Sequence, residues 1–244
     1  MREGLQAGAH FARVELSKAA HAAKQELQVQ RGLPGGVSGD EAGNQLVNRH
    51  GAPCLPHPRY PEDVDDYLKV LLLVGSRLEQ AGIPYMLSGS TAMNFYARPR
   101  MTRDIDIVIE LDLTAVSRVV ALFQEDFSVD EEEVREALVH QSLFNLVHFD
   151  TVIKVDCVVR KRAAYRREEF NRRRPIEVEG QRIWIVSAED LILSKLHWAR
   201  ESLSELQLGD VRNILEAVPA LDWPYLQHWA RELGIEPLLE KVKR

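Results

Sequence analysis

Residues 104–109 read DIDIVI, and this stretch limits the fold more tightly than any other. Side chains on a strand alternate between its two faces. Ile105, Ile107 and Ile109 therefore share one face, and Asp104 and Asp106 share the other. The isoleucine face demands a core. The aspartate face demands water or a cation, because two carboxylates aimed at one spot repel each other. Taken alone, Asp-x-Asp fits a half-wet strand better than it fits a metal site.

A second strand-like run, VIKVDCVV at residues 152–159, sets a third carboxylate, Asp156, among apolar residues. An aspartate in a central strand is disfavoured by propensity and by burial, so it needs a reason. If this strand neighbours 104–111, Asp156 joins the pair on the same face. Hard oxygen ligands suit Mg²⁺, which keeps several waters and shares itself with substrate phosphates. Three aspartates around two Mg²⁺ ions form a clamp for in-line phosphoryl or nucleotidyl displacement. One of them can also take the proton from an attacking hydroxyl. Upstream, Gly89 and Ser90 sit where a strand turns into a helix. Glycine allows close backbone approach to a phosphate, and the helix N-terminus offers free N–H groups. Ser90 adds a hydroxyl donor, or is a plain N-cap.

Periodicity places the other elements. Apolar residues at helical spacing predict a helix over 63–80, ended by Gly82. IPYMLSG reads as a short strand, 90–96 as a helix, 104–111 as a strand and 113–124 as a helix. The acidic run EDFSVDEEEVRE is a solvated helix edge or a loop. SLFNLVHF and VIKVDCVV make one hairpin, and PIEVEGQRIWIV makes another around Glu179-Gly180. From Ser187 the pattern is helical, with breaks expected near Gly209, Pro219 and Gly234. The fold class is α/β (α+β): a mixed sheet flanked by helices, with a helical C-terminal part. Three segments follow: a disordered or helical extension and linker at 1–60, an α/β core at 61–186, and a helical part at 187–244. In the first, GLPGGVSG lacks the lysine of a phosphate loop, and Cys54 with His57 supplies too few ligands for zinc.

The stretch LSGSTAMNFYARPRMTRDIDIVI, with KVDCVV later, resembles the DNA-polymerase-β-type nucleotidyltransferase superfamily. The resemblance implies the nucleotidyltransferase fold and Mg²⁺-dependent transfer of a nucleoside monophosphate from an NTP. It implies that Gly89 and Ser90 hold the triphosphate, that Asp104 and Asp106 bind both metals, and that Asp156 completes the site and activates the acceptor hydroxyl. Arg103 is a further candidate for phosphate, or a loop charge.

Lys195 falls within the apolar stripe of the helix opened by Ser187. It is either a snorkelling stem or a cation aimed at phosphates. Asp210 borders the next apolar face, as a partner for Lys195 or as a surface cap. Asp190, Lys195 and the later Gly209-Asp210-Val211 are similar to the AbiEii-like, toxin-type branch of the superfamily. There the lysine and the later aspartate belong to the active site, and an antitoxin protein is an implied partner. Asn213 stands where that branch commonly has a second acidic residue, and Gly89-Ser90 where it often has Gly-Gly.

Residues 160–174, RKRAAYRREEFNRRR, can track a phosphate backbone and stack a base, help bind NTP, or form a solvated helical face. The acceptor classes are therefore RNA, such as a tRNA 3′ end, or a small hydroxylated molecule of the antibiotic type. A non-catalytic nucleotide-binding module is the reading from outside enzymology. The net charge of -6 excludes a global pull toward nucleic acid or anionic membrane. Two cysteines give no disulfide framework, no run has the length of a membrane span, and the N-terminus lacks a secretory apolar core. The expected location is the cytoplasm.

Overall fold

The alternation of 104–109 becomes a strand at the centre of a seven-stranded mixed sheet. A computed structural model describes residues 64–100, 102, 104–202 and 204–243. The 1–60 extension and Arg103 lie outside the described residues.

Helix α1 (Val64–Gln80) buries Val70, Leu71, Val74 and Leu78, and the chain turns at Gly82, whose φ is +62°. Strand β1 (Tyr85–Leu87) leads directly into α2 (Gly89–Tyr96). Strand β2 (Asp104–Ile109) follows, then a 3₁₀ turn (Leu113–Ala115) and α3 (Val116–Phe123). The acidic run divides into a two-residue strand β3 (Phe127–Ser128) and helix α4 (Glu131–His140). Asp130 accepts a hydrogen bond from Glu133 N–H at 2.8 Å, and Glu131, Glu132 and Glu133 line the first turn. Negative charge there favours the exposed amides of a helix start.

Strands β4 (Leu143–His148) and β5 (Lys154–Val159) form the first expected hairpin, and β6 (Arg174–Val178) and β7 (Gln181–Ile185) form the second. Glu179 and Gly180 both have positive φ, as a tight hairpin turn requires. Between the hairpins the basic run folds as α5 (Ala164–Asn171). The chain ends in α6 (Ala188–Ser202), α7 (Glu205–Ala217), α8 (Trp223–Glu232) and α9 (Glu236–Lys243). Gly209 lies inside α7, so the expected break there is wrong: α7 begins at Glu205, and one interior glycine costs a helix only about 1 kcal/mol.

The sheet order is β3-β4-β5-β2-β1-β7-β6. The pairs β2–β5 and β1–β7 are parallel, and the rest antiparallel. Both β2 and β5 alternate buried with half-buried residues. Ile105, Ile107, Ile109, Val155, Cys157 and Val159 fill one side, and a continuous apolar cluster extends from α1 through the sheet to Val242 in α9. The opposite face of β2 and β5 carries the carboxylates.

Candidate active site

The parallel pairing of β2 and β5 decides where the acidic residues meet. Asp106 stands directly opposite Asp156, and Asp104 opposite Lys154. Neighbouring strands lie about 4.8 Å apart. Asp104, Asp106 and Asp156 thus project from one face, as their sequence period requires.

Beyond Leu87, β1 no longer covers the start of β2, and other groups take over its hydrogen bonding. Ser88 N–H donates to Asp106 O at 2.9 Å. Asp106 N–H donates to Thr91 Oγ1 at 3.1 Å, and Asp104 O accepts from Tyr67 OH at 3.3 Å and Thr102 Oγ1 at 3.2 Å. Tyr67 and Thr91 also bond each other, at 2.8 Å. Burial pushes the Tyr67 phenol well above its ordinary pKa, so it stays neutral. The start of the strand, which presents Asp104 and Asp106, is held by α1 and α2, and its later half by β1.

Gly89 is tightly constrained. Its φ is +55°, and a Cβ there would stand 2.3 Å from Asp106 Oδ2. Only glycine lets this backbone approach the carboxylate so closely. Ser90 N–H then donates to Asp106 Oδ2 at 3.1 Å. Burial raises the Asp106 pKa, with the Ser90 N–H opposing and Asp156 adding to the rise. Ser90 is not the cap of α2; Ser88 holds that position without a side-chain bond. The Ser90 hydroxyl instead accepts from Arg100 Nη2 at 2.5 Å.

Arg100 links this turn to the C-terminal helices. Its Nε and Nη2 both lie 3.0 Å from the Asp210 carboxylate. Lys195 Nζ donates to the same carboxylate at 2.7 Å, and to Gln207 Oε1 at 3.2 Å. The Lys195 and Asp210 side chains are 4% and 3% exposed. Neither the snorkelling stem nor the surface cap describes them: they are a buried ion pair with a second cation attached. Burial lowers the Lys195 pKa, opposed by Asp210.

The carboxylate cluster has a cation of its own. Lys154 Nζ lies 3.0 Å from Asp156 Oδ1 and 3.5 Å from Asp104 Oδ2. The carboxylates, Asp156 foremost, raise its pKa. The Asp156 contact is an ion pair off the hydrogen-bonding direction, because buried Asp156 Oδ1 has no hydrogen-bond partner. Asn145, across from Asp156 on β4, likewise has a buried Oδ1 without a partner, while its amide donates to Glu133.

Among the described residues no three His, Cys, Asp or Glu side chains are gathered closely enough to hold a metal. Lys154 stands between two of the candidates. The donor set nevertheless suits a hard divalent ion, because three carboxylates share one face.

Residues 160–174 depart from the expectation of a base-stacking surface. Tyr165 and Phe170 are buried, at 4% and 1% exposure, and face the core. Arg160 pairs with Glu110, Arg166 with Glu169, Arg172 with Asp190, and Arg174 approaches Glu189. Arg173 lies over the Phe170 and Trp184 rings. The clustering of arginines reflects a partly buried ionic joint around the buried Glu169, Glu189 and Asp190. Within it Asp190 accepts from Ser187 and Tyr225 hydroxyls at 2.6 Å each, so Asp190 belongs to this joint and not to the carboxylate face. Lys161, Arg162 and Arg167 remain exposed.

Sequence reasoning missed Lys154, Arg100, Tyr67 and Thr91. Lys154 was within reach, since it precedes Asp156 by two and so shares its face. Arg100 gave no local signal, because its partner is far away in the chain.

The comparison with curated proteins found no match. Solved structures similar to the chain include an antigenic nucleotidyltransferase-like protein from Paracoccidioides brasiliensis, with 20% identity, TM-score 0.49, and 73% of this chain and 92% of that one covered. A lincosamide antibiotic adenylyltransferase has 14% identity and TM-score 0.41, covering 62% and 96%. The antibiotic-resistance factor ANT(2'')-Ia has 15% identity and TM-score 0.40, covering 73% and 88%. A family described as "uncharacterised nucleotidyltransferase" matches residues 67–243, which takes in the whole carboxylate face, the Gly89 turn and the Lys195–Asp210 pair. The chain belongs to this nucleotidyltransferase family.

Proposed function

We propose that the protein transfers a nucleoside monophosphate from an NTP to an acceptor hydroxyl with the help of divalent metal. The observation that carries this is the register of Asp106 against Asp156, with Asp104 on the same face and the Gly89–Ser90 turn against it. Asp104, Asp106 and Asp156 would hold the metal, expected as Mg²⁺. When bound, it would neutralise charge on the triphosphate and make the α-phosphorus open to attack. Gly89, Ser90 and Arg100 would receive the triphosphate, backed by the buried Lys195–Asp210 pair; Arg103 is a further candidate. Asp156 takes the proton as the acceptor oxygen bonds to the α-phosphorus. The bond to the β-phosphate oxygen breaks, and pyrophosphate leaves.

A small hydroxylated acceptor is the better supported class. The inward pairing of residues 160–174 leaves few cations for an RNA backbone. The RNA, toxin-type reading with an antitoxin partner draws its support from Lys195 and Asp210, which meet as that branch would require. No described helix is long and apolar enough to cross a membrane. A cytoplasmic setting suits an NTP substrate and the unpaired, buried Cys157.

The test is label transfer. Purified protein is incubated with Mg²⁺, each of four α-labelled NTPs, and either cell RNA or a deproteinised small-molecule extract. Label should move to a small acceptor with the wild type and not with Asp104→Ala. Transfer to RNA would instead establish the toxin-type acceptor. Failure of NTP and Mg²⁺ to bind would end the catalytic reading.

A further inference from the structure

The carboxylate face is not simply three negative groups. Lys154 enters it from β5, two residues before Asp156 and directly across from Asp104. Strand geometry fixes this placement, since residues i and i+2 share a face and register partners are nearest neighbours. Its ammonium therefore sits between Asp104 and Asp156, 3.5 and 3.0 Å from their oxygens. Asp106 lies apart from this contact and turns an oxygen to the Ser90 N–H.

We propose that Lys154 stands in for one of two metal ions, so that the carboxylate face takes up a single divalent ion. The inference rests on the metal-dependent reading above and departs from the expected pair of Mg²⁺ ions. Three carboxylates and one ammonium leave a net charge of minus two, which one divalent ion neutralises. A second ion between Asp104 and Asp156 would meet the ammonium at the separation where like charges repel most strongly. Two-metal sites hold their ions about 3.5–4 Å apart, so a second ion there would compete with the Lys154 ammonium, 3.0 Å from Asp156, for the same carboxylate. The single ion would be held chiefly by Asp104 and Asp106, with Asp156 shared between it and Lys154.

The test counts bound Mn²⁺ per chain by electron paramagnetic resonance at saturation, without nucleotide, so that no acceptor or NTP need be known. Wild type should bind one ion, Lys154→Met one more, and Lys154→Arg the wild-type number, because it keeps the cation. Lys154 is part-exposed, at 38%, so its loss leaves no buried hole; a thermal melt of each variant confirms the fold. Equal counts in wild type and Lys154→Met, or two ions in the wild type, would overturn the inference and leave metal dependence standing. No Mn²⁺ on either protein would overturn both.

Discussion

Asp210→Asn removes the shared anion of a buried triad and should cost the fold heavily. Asp210 takes hydrogen bonds from Lys195 at 2.7 Å and from Arg100 at 3.0 Å through two nitrogens. Lys195, 4% exposed, cannot turn to water, whereas Arg100, 29% exposed, can partly do so. Removing one member of a buried pair costs roughly 3–5 kcal/mol, because the remaining charge is uncompensated. With Arg100 discounted for its route to solvent, the loss is about 3 kcal/mol. A domain of this size shifts its Tm by roughly 2–4 °C per kcal/mol, so the midpoint should fall by about 6–12 °C. The decisive arm is Lys195→Met added to Asp210→Asn. It removes the stranded ammonium and should restore most of the lost stability. Denaturant melts of the four proteins complete a double-mutant cycle. A loss under about 1 kcal/mol for Asp210→Asn, or a double variant no more stable than it, would refute the argument that the two groups are a coupled buried pair.

Gly89→Ala should abolish nucleotide binding measured by calorimetry, because the methyl would displace Asp106 and the left-handed backbone would cost a further ~1–2 kcal/mol. Tyr67→Phe should lower turnover while shifting stability by only about 1 kcal/mol, since it removes one hydroxyl that holds Asp104 O and Thr91; unchanged kcat would remove Tyr67 from the positioning of β2. Tyr85 is pushed up to about 12 by burial. A phenol raised in the folded state gives stability that is whole below the unfolded value near 10 and is lost as pH rises toward the folded one. Melts between pH 9 and about 12 should therefore show stability falling above pH ~10, with phenolate absorbance lagging that of free tyrosine. Replacing exposed Lys161, Arg162 and Arg167 together by alanine should leave the melting curve unchanged, whereas Arg172→Ala should lower it, because Arg172 neutralises the fully buried Asp190.

The parts of the site legible in sequence were those governed by short periods. Alternation put Asp104 and Asp106 on one face, and the apolar setting of Asp156 marked it as the third carboxylate. Its register opposite Asp106 is a tertiary fact, fixed by the parallel pairing of β2 and β5. The basic run misled for a definite reason. Composition counts arginines but not their partners, and those come from three separate places: Glu110 after β2, Glu169 in α5, and Glu189 with Asp190 in α6. The bond network of Tyr67, Thr91 and Asp104 was invisible because it replaces a missing stretch of β1, and strand length is decided by neighbours.

Arg100 and Asp210 are 110 residues apart in the chain. Closing so long a loop costs entropy before the contact repays it, and such distant pairings form late in folding. A ribosome releases residue 210 well after the carboxylate strands have emerged. The Gly89–Ser90 turn of a nascent chain is therefore left with Arg100 unanchored until α7 arrives. A protein cut short before α7 would carry all three carboxylates and still lack the anchor of Arg100.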